Sequence, residues 1–377
     1  MNKTKQNIAI LTLPLNSNYG GILQAYALQQ VLTEMGHSVI HLELLVNEGY
    51  SWWKIPFVFL KRVYRKYVLK DKWIIIRENY RDTICRNTKI FVSKYISRRF
   101  VTKEQLNTNL AEEYDVLLVG SDQVWRPKYI ENFLHDAFLS FAKDAEVKRI
   151  SYAASFGTSI CEFSSEDLMV CSELLSSFAA VSVRELSGVE LCRKFFGVNA
   201  VQMLDPTMLL KKEHYITLFQ KTDTSVSEGD LMVYILDSSH EIKALIKDFA
   251  AYNDLRIFKT GFRYDDTDNV SIEERIPPKV EHWLRGFYNA KLVITDSFHA
   301  CVFSIIFNKP FIAIGNKERG LSRFESLLSI FQLDNCLVDV SELNRISIPQ
   351  IDWNQVNHIL EEKRAEALSF LRTNLEC

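Results

Sequence analysis

No stretch of this 377-residue chain reaches the roughly 18 uninterrupted apolar residues of a membrane-spanning helix, so the sequence offers no candidate span. Cysteine is present but unorganised. Cys85, Cys161, Cys171, Cys192, Cys301, Cys336 and Cys377 form no CxxC spacing and are odd in number, which argues against a disulfide or zinc framework and for reduced thiols in a cytoplasmic protein. Charge of one sign is missing too. A net charge of −2 gives no general pull toward nucleic acid or anionic membrane, so any such attraction must be local. The eight histidines are dispersed, and no HxxxH or DxD-like pair sits beside His299, so no metal is expected. The amino-terminal MNKTKQNIAILTLPLN starts basic, but Pro14 and Asn16 break its apolar run; it reads as a first strand, not a signal peptide.

Apolar material is ample. Hydrophobic residues make up 47% of the chain, enough for the two cores that its length calls for. Strand-like runs alternate with helically periodic ones, which predicts α/β with parallel sheets. Ile8 to Leu13 reads as a buried strand, 16–21 as a polar turn with two glycines, 22–35 as a helix ended by Gly36, and Val39 to Leu45 as the next strand. Residues 50–110 break this rhythm with an aromatic, basic, helical insertion. Alternation resumes at 115–120, 149–156, 180–184 and 201–205, and a second series starts at Leu231. The expected organisation is a Rossmann-like domain over 1–207 and a second over 208–350. A carboxy-terminal helix over 351–377 returns to the first half. Two such domains around a central cleft make a GT-B-like fold.

The segment LVITDSFHACVFSIIFNKPFIAIG, 292–315, is the most informative. A β-branched run ends in Asp296-Ser297-Phe298-His299, followed by a helical stretch and a second strand. That order puts His299 at the carboxyl edge of a parallel sheet, where ligands of open α/β sheets bind, in the first turn of a helix. A histidine there is poised for proton transfer beside a helix end that favours an anion. The competing reading is a buried histidine satisfying a backbone carbonyl. Asp296 either orients it or caps the helix, capping being the commoner job.

Other elbows have the same form. Asn18-Tyr19-Gly20-Gly21, with Gln24 one turn on, allows close backbone approach, either to a ligand or simply within a strand-to-helix turn. Gly120-Ser121-Asp122-Gln123 precedes Trp125. Asp122 is placed either to deprotonate a hydroxyl or to act as an N-cap. Lys317, Arg319, Gly320, Ser322 and Arg323 cluster where a helix starts, which suits a bound anion or a solvated turn. Arg184 ends a strand, facing the cleft or pairing with Glu185.

Six segments, in order from residue 7 to about 333, resemble the polysaccharide pyruvyl transferase family. They are NYGGILQAYAL (18–28), VGSDQVW (119–125), SYAASFG (151–157), SVRE (182–185), DPT (205–207) and TDSFHA (295–300). The resemblance implies a GT-B-like fold and transfer of pyruvate from phosphoenolpyruvate to two hydroxyls of a sugar, leaving a cyclic ketal. It implies no cofactor beyond that donor. Carried over to this chain, the family's histidine and basic residues fall on His299, Arg184, Lys317 and Arg319, with the first domain as the acceptor side and the second as the donor side. For that chemistry His299 is expected to protonate the donor's methylene carbon, with Asp122 assisting catalysis and Ser297 joining the basic residues that face the donor. Asn18, Tyr19, Gly20, Gly21, Gln24 and Trp125, whose indole gives a sugar ring an apolar face, are expected to face the acceptor. Some members carry arginine where this chain has Ser297.

The stretch WWKIPFVFLKRVYRKYVLKDKW, 52–73, is the strongest local charge asymmetry. It is read as a membrane-surface helix, which suits a lipid-linked acceptor at the inner face of the cytoplasmic membrane, or as an insertion packing its aromatics on the first domain. Nothing else supports nucleic acid as a partner. Two other functions remain open: a GT-B sugar-nucleotide glycosyltransferase with Glu318 or Glu325 on the ribose, and a non-catalytic polysaccharide-assembly protein.

Overall fold

The computed structural model describes residues 5–45, 55–67, 80–130, 133–222, 229–237, 239–260, 273–315, 320–343 and 345–376. The first sheet contains β1 (Asn7–Leu11), β2 (Ser38–Leu44), β3 (Arg98–Val101), β4 (Val116–Asp122), β5 (Lys148–Ala154), β6 (Ala180–Val183) and β7 (Val201–Gln202). Their order is β3-β2-β1-β4-β5-β6-β7, with every neighbouring pair parallel. The second holds β8 (Leu231–Tyr234), β9 (Ile257–Phe258), β10 (Leu292–Thr295), β11 (Phe311–Ile314) and β12 (Leu337–Val338), in the order β12-β11-β10-β8-β9. Strands covered on both faces read as near-continuous apolar runs, as β4, β8, β10 and β11 do; all four are buried throughout.

Each strand order reverses once, between β1 and β4 and between β8 and β10. At such a reversal the two connecting helices diverge to opposite faces and open a crevice outside the strand ends. The helix Tyr19–Glu34 follows β1, and the helix Phe298–Ile306 follows β10. Residues 19–28 are all buried, as are all nine residues of 298–306, because these helices lie between the sheets. One apolar cluster runs through both halves, joining Ile8, Ile22 and Leu23 to Trp283, Phe303 and Phe311. Each sheet packs a separate core on its other face.

The helix Trp353–Glu376 lies against the first half. Its Arg364 Nε donates to the Met208 carbonyl at 2.9 Å, and Gln6 Nε2 donates to the Leu375 carbonyl at 2.8 Å. Its stripe of Val356, Leu360, Ala367 and Leu371 is core.

The insertion differs from the expected all-helical segment, because it contains β3, which pairs with β2 through 98–101. Two arginines in a four-residue RRFV run hide the strand pattern, and an edge strand needs apolar residues on one face only. Residues 52–54 and 68–73 of the basic stretch lie outside the described residues. Among the described residues, no helix is long and apolar enough to cross a membrane.

Candidate active site at the junction of the two sheets

The elbow after β10 is locked from inside. Thr295 Oγ1 donates to the Tyr234 carbonyl at 2.6 Å and accepts the Ser297 N–H at 3.0 Å. Asp296 accepts the N–H groups of Leu236 at 2.7 Å and Asp237 at 2.9 Å, tying the elbow to the loop after β8. The N-cap position of the following helix is Ser297, not Asp296, and these bonds of Asp296 go to the neighbouring loop. Ser297 occupies the N-cap position without a side-chain cap bond, and its side chain is buried.

His299 leaves this elbow in the first helical turn, 6% exposed. Its ring lies on the backbone of Gly20. A Cβ at Gly20 would sit 2.1 Å from His299 Nδ1, so only glycine admits the imidazole there. The other nitrogen, Nε2, is 3.4 Å from Asp205 Oδ2, the spacing of an ion pair rather than of a tight hydrogen bond. The ring faces a carboxylate, not the backbone carbonyl of the competing reading.

Asp205 is fully enclosed and fully engaged. Its Oδ1 accepts the Thr207 N–H at 3.0 Å and hydroxyl at 2.7 Å, while Oδ2 accepts Arg184 Nη1 at 2.8 Å and Ser121 Oγ at 3.4 Å. Burial alone would raise its pKa, yet the charges and hydrogen bonds of His299 and Arg184 hold its carboxyl well below the usual carboxylate range. Arg184 is bound as firmly. Its Nε donates to Glu185 at 3.1 Å, and its guanidinium stacks 4.2 Å from the centre of the Phe298 ring. Burial disfavours this cation, but Glu185, Asp205 and Asp122 raise its pKa above the ordinary value. Nη2 is the one nitrogen of Arg184 without a hydrogen bond; it stands 3.5 Å from Asp122 Oδ1.

Asp122 ends β4 with φ +59°, a conformation that aspartate tolerates and that aims its carboxylate into the junction. Its Oδ2 accepts Asn18 Nδ2 at 3.3 Å. It caps no helix. A register shift in β5 between Ser151 and Ala154 turns the chain so that Ser155 Oγ donates to Glu185 at 2.7 Å. Across the junction, Gly320 at φ +88° packs on the Gly157 carbonyl, and Leu186 N–H donates to Ser326 Oγ at 3.0 Å. These contacts bury Arg323 beside Arg184. Burial and the Arg184 charge pull Arg323 down to about 10, against the opposite pull of Glu185 and Asp122. Two guanidinium groups in one water-poor site favour an anion between them.

An open crevice of about 540 Å³ runs along the carboxyl edge of the second sheet, with Asp237, Asp296 and Asp339 among apolar walls from Ile235, Ile314 and Leu337. Among the described residues, no group of three or more His, Cys, Asp or Glu side chains is placed to hold a metal ion.

The structure thus brings His299, Asp122, Arg184, Asn18, Gly20 and Gly21 together. Trp125 is a correction. Its indole is fully buried, stacks on Phe138 with centroids 5.0 Å apart, and donates from Nε1 to the Ala137 carbonyl, so it offers no face to a sugar. Tyr19 is a second, packed 5.4 Å from Trp283 with its hydroxyl on the Pro278 carbonyl. Gln24 gives its amide nitrogen to Thr12 Oγ1 and the Gly21 carbonyl, while its Oε1 is buried without a hydrogen bond among the described residues. Gly20 receives an imidazole where a ligand was one reading, and Gly21 lies against the Asn18 and Asp122 side chains. Lys317 and Arg319 lie outside the described residues. Asp205 and Glu185 were not singled out as site residues, although DPT and SVRE are visible motifs; an aspartate just before proline, capping the short turn Pro206–Met208, was the available signal.

No curated protein sequence matches the chain. Among solved structures, UGT89C1 of Arabidopsis thaliana in complex with UDP-L-rhamnose is similar at TM-score 0.53 and 10% identity, covering 99% of this chain and 100% of that one. Its quercetin complex gives 0.50 with the same identity and coverage. The calicheamicin glycosyltransferase CalG4 gives 0.43 at 12% identity, covering 100% and 99%. At such identities the UGT89C1 likeness is one of fold, two Rossmann-like halves of GT-B type. A sequence model described as polysaccharide pyruvyl transferase matches residues 18–318.

Proposed function

Because the chain belongs to the polysaccharide pyruvyl transferase family, we propose that it moves the pyruvyl group of phosphoenolpyruvate onto two hydroxyls of one sugar, releasing phosphate. The acceptor is a galactose-type sugar of a surface or capsular polysaccharide or of its lipid-linked precursor. A lipid-linked acceptor places the enzyme in the cytoplasm at the inner face of the membrane. The observation that carries the reading is the imidazole of His299, seated on Gly20 with Nε2 directed at Asp205.

The chemistry needs one acid. A sugar oxygen attacks C2 while a proton is delivered to the methylene carbon, making it the methyl group. The C2–O bond to phosphate then breaks, and the second oxygen closes the ketal. Of the two hydroxyl protons, one balances the new methyl C–H and the other leaves with phosphate. His299 delivers the proton to carbon, and the Asp205 carboxylate, 3.4 Å from its Nε2, holds the ring in place. Arg184 Nη2 and the Arg323 guanidinium take the donor's oxyanions, Arg323 standing in for the arginine that some members carry at the position of Ser297. Asp122 accepts the hydroxyl proton. The open crevice at the carboxyl edge of the second sheet, which Asp296 of the elbow lines, is the proposed place for the sugar, since its carboxylates suit hydroxyl groups and its apolar walls suit ring C–H faces.

The test is incubation with phosphoenolpyruvate and a soluble galactoside, read by mass spectrometry and phosphate release. The expected product carries one ketal-linked pyruvate per phosphate released. Turnover of a sugar nucleotide instead, with phosphoenolpyruvate untouched, would overturn the reading.

A further inference from the structure

The helix Ile55–Tyr67 carries four large side chains uncovered. Phe57 is 70% exposed, Leu60 62%, Tyr64 54% and Phe59 51%. At 3.6 residues per turn, Phe57, Leu60, Lys61 and Tyr64 share an arc of about 100°. Phe59 opens on the other side, so these three aromatic rings are not packed on the first half. Single exposed apolar residues need no explanation, but four large ones within two turns form a patch that fits a partner.

Charge identifies the partner. The same 13-residue helix contains Lys61, Arg62, Arg65 and Lys66 and no acid, in a chain whose net charge is −2. We propose that this helix docks on an anionic lipid surface. Its rings lie at the headgroup boundary and its cations against lipid phosphates. A second copy of the chain meeting the same face across a two-fold axis would set these cations against each other. Lipid offers the opposite sign and a yielding apolar layer together. The proposal is independent of the catalytic reading.

Flotation with phosphatidylserine-containing vesicles, compared with phosphatidylcholine alone, tests it. The wild-type chain should float with the anionic vesicles at low salt and be released as salt screens the surface. The double variant Phe57→Glu/Leu60→Glu and the charge variant Lys61→Glu/Arg65→Glu should each bind at least about tenfold more weakly. Both should keep the wild-type melting temperature and wild-type activity on a soluble galactoside, since these positions lie outside the junction. An inactive protein that still floats leaves this proposal standing while ending the catalytic one. No retention at low salt, or equal retention by both variants, would overturn it. So would sedimentation showing a dimer that the Phe57→Glu/Leu60→Glu change splits.

Discussion

The two carboxyl edges that meet at the junction are built in opposite ways. On the first sheet, Asp122, Arg184, Glu185 and Asp205 come from the ends of β4, β6 and β7 and bind one another, with Ser121, Ser155 and Thr207 filling the remaining positions. On the second, the elbow spends Thr295 and Asp296 on the backbone of β8 and the loop after it and presents one ring, His299, to that network. The first edge is a fixed charge field; in the proposed mechanism the second supplies the group that exchanges a proton. Removing water strengthens the field felt by that ring, because charges in a low-dielectric site interact several times more strongly than in solution. The helices after β1 and β10 are buried at this junction.

The comparison breaks first at the ring. His299→Asn should cut phosphate release from phosphoenolpyruvate plus acceptor by about a thousandfold, within the range for a lost general acid, and shift the melting temperature little. A variant that retains wild-type turnover would make the second edge structural. Next comes Asp205→Asn, with an expected loss of about a hundredfold in kcat. The stability sign follows from the depressed carboxyl of Asp205. Its contribution is fully present above the unfolded carboxylate pKa of about 4 and is lost as pH falls toward the lower folded value, so Asp205→Asn should unfold less steeply in acid. A variant with wild-type kcat would reduce Asp205 to packing.

Gly20→Ala sharpens the contrast between the edges, because its methyl group would overlap the imidazole and leave the charge network intact. Its kcat should fall at least about tenfold, since an ångström of misplacement at a reacting group is costly. At Gly21 the nearest atom to an added Cβ is 3.2 Å away, on the Asn18 side chain, so Gly21→Ala should do less. The smallest effect belongs to Arg323→Lys, which keeps the charge but loses the fork. The KM for phosphoenolpyruvate should rise about tenfold at nearly constant kcat; a fall in kcat alone would move Arg323 out of donor binding.

The elbow around His299 was legible because it is local: a β-branched run, four polar or aromatic residues and an apolar helix sit within one short stretch. The alternation of strands and helices carried the fold for the same reason. The network was not legible. Ser121 and Asp205 lie 84 residues apart in sequence, and their meeting depends on the order of β4 to β7 rather than on any local pattern. Gly20 signals space in the sequence but not what fills it. Trp125 beside an elbow reads the same whether its indole faces a sugar or the core, and only the Ala137 carbonyl on its Nε1 decides. Short strands such as β3 and β12 give too few positions for a period to appear.

The measurement closest to the central claim is ketal formation in deuterated water, with the product methyl group read by mass spectrometry in wild type and His299→Asn. The account predicts one deuterium in each wild-type methyl group and no ketal from the variant. A ketal formed by the variant at the wild-type rate, or a wild-type product without deuterium, would contradict it.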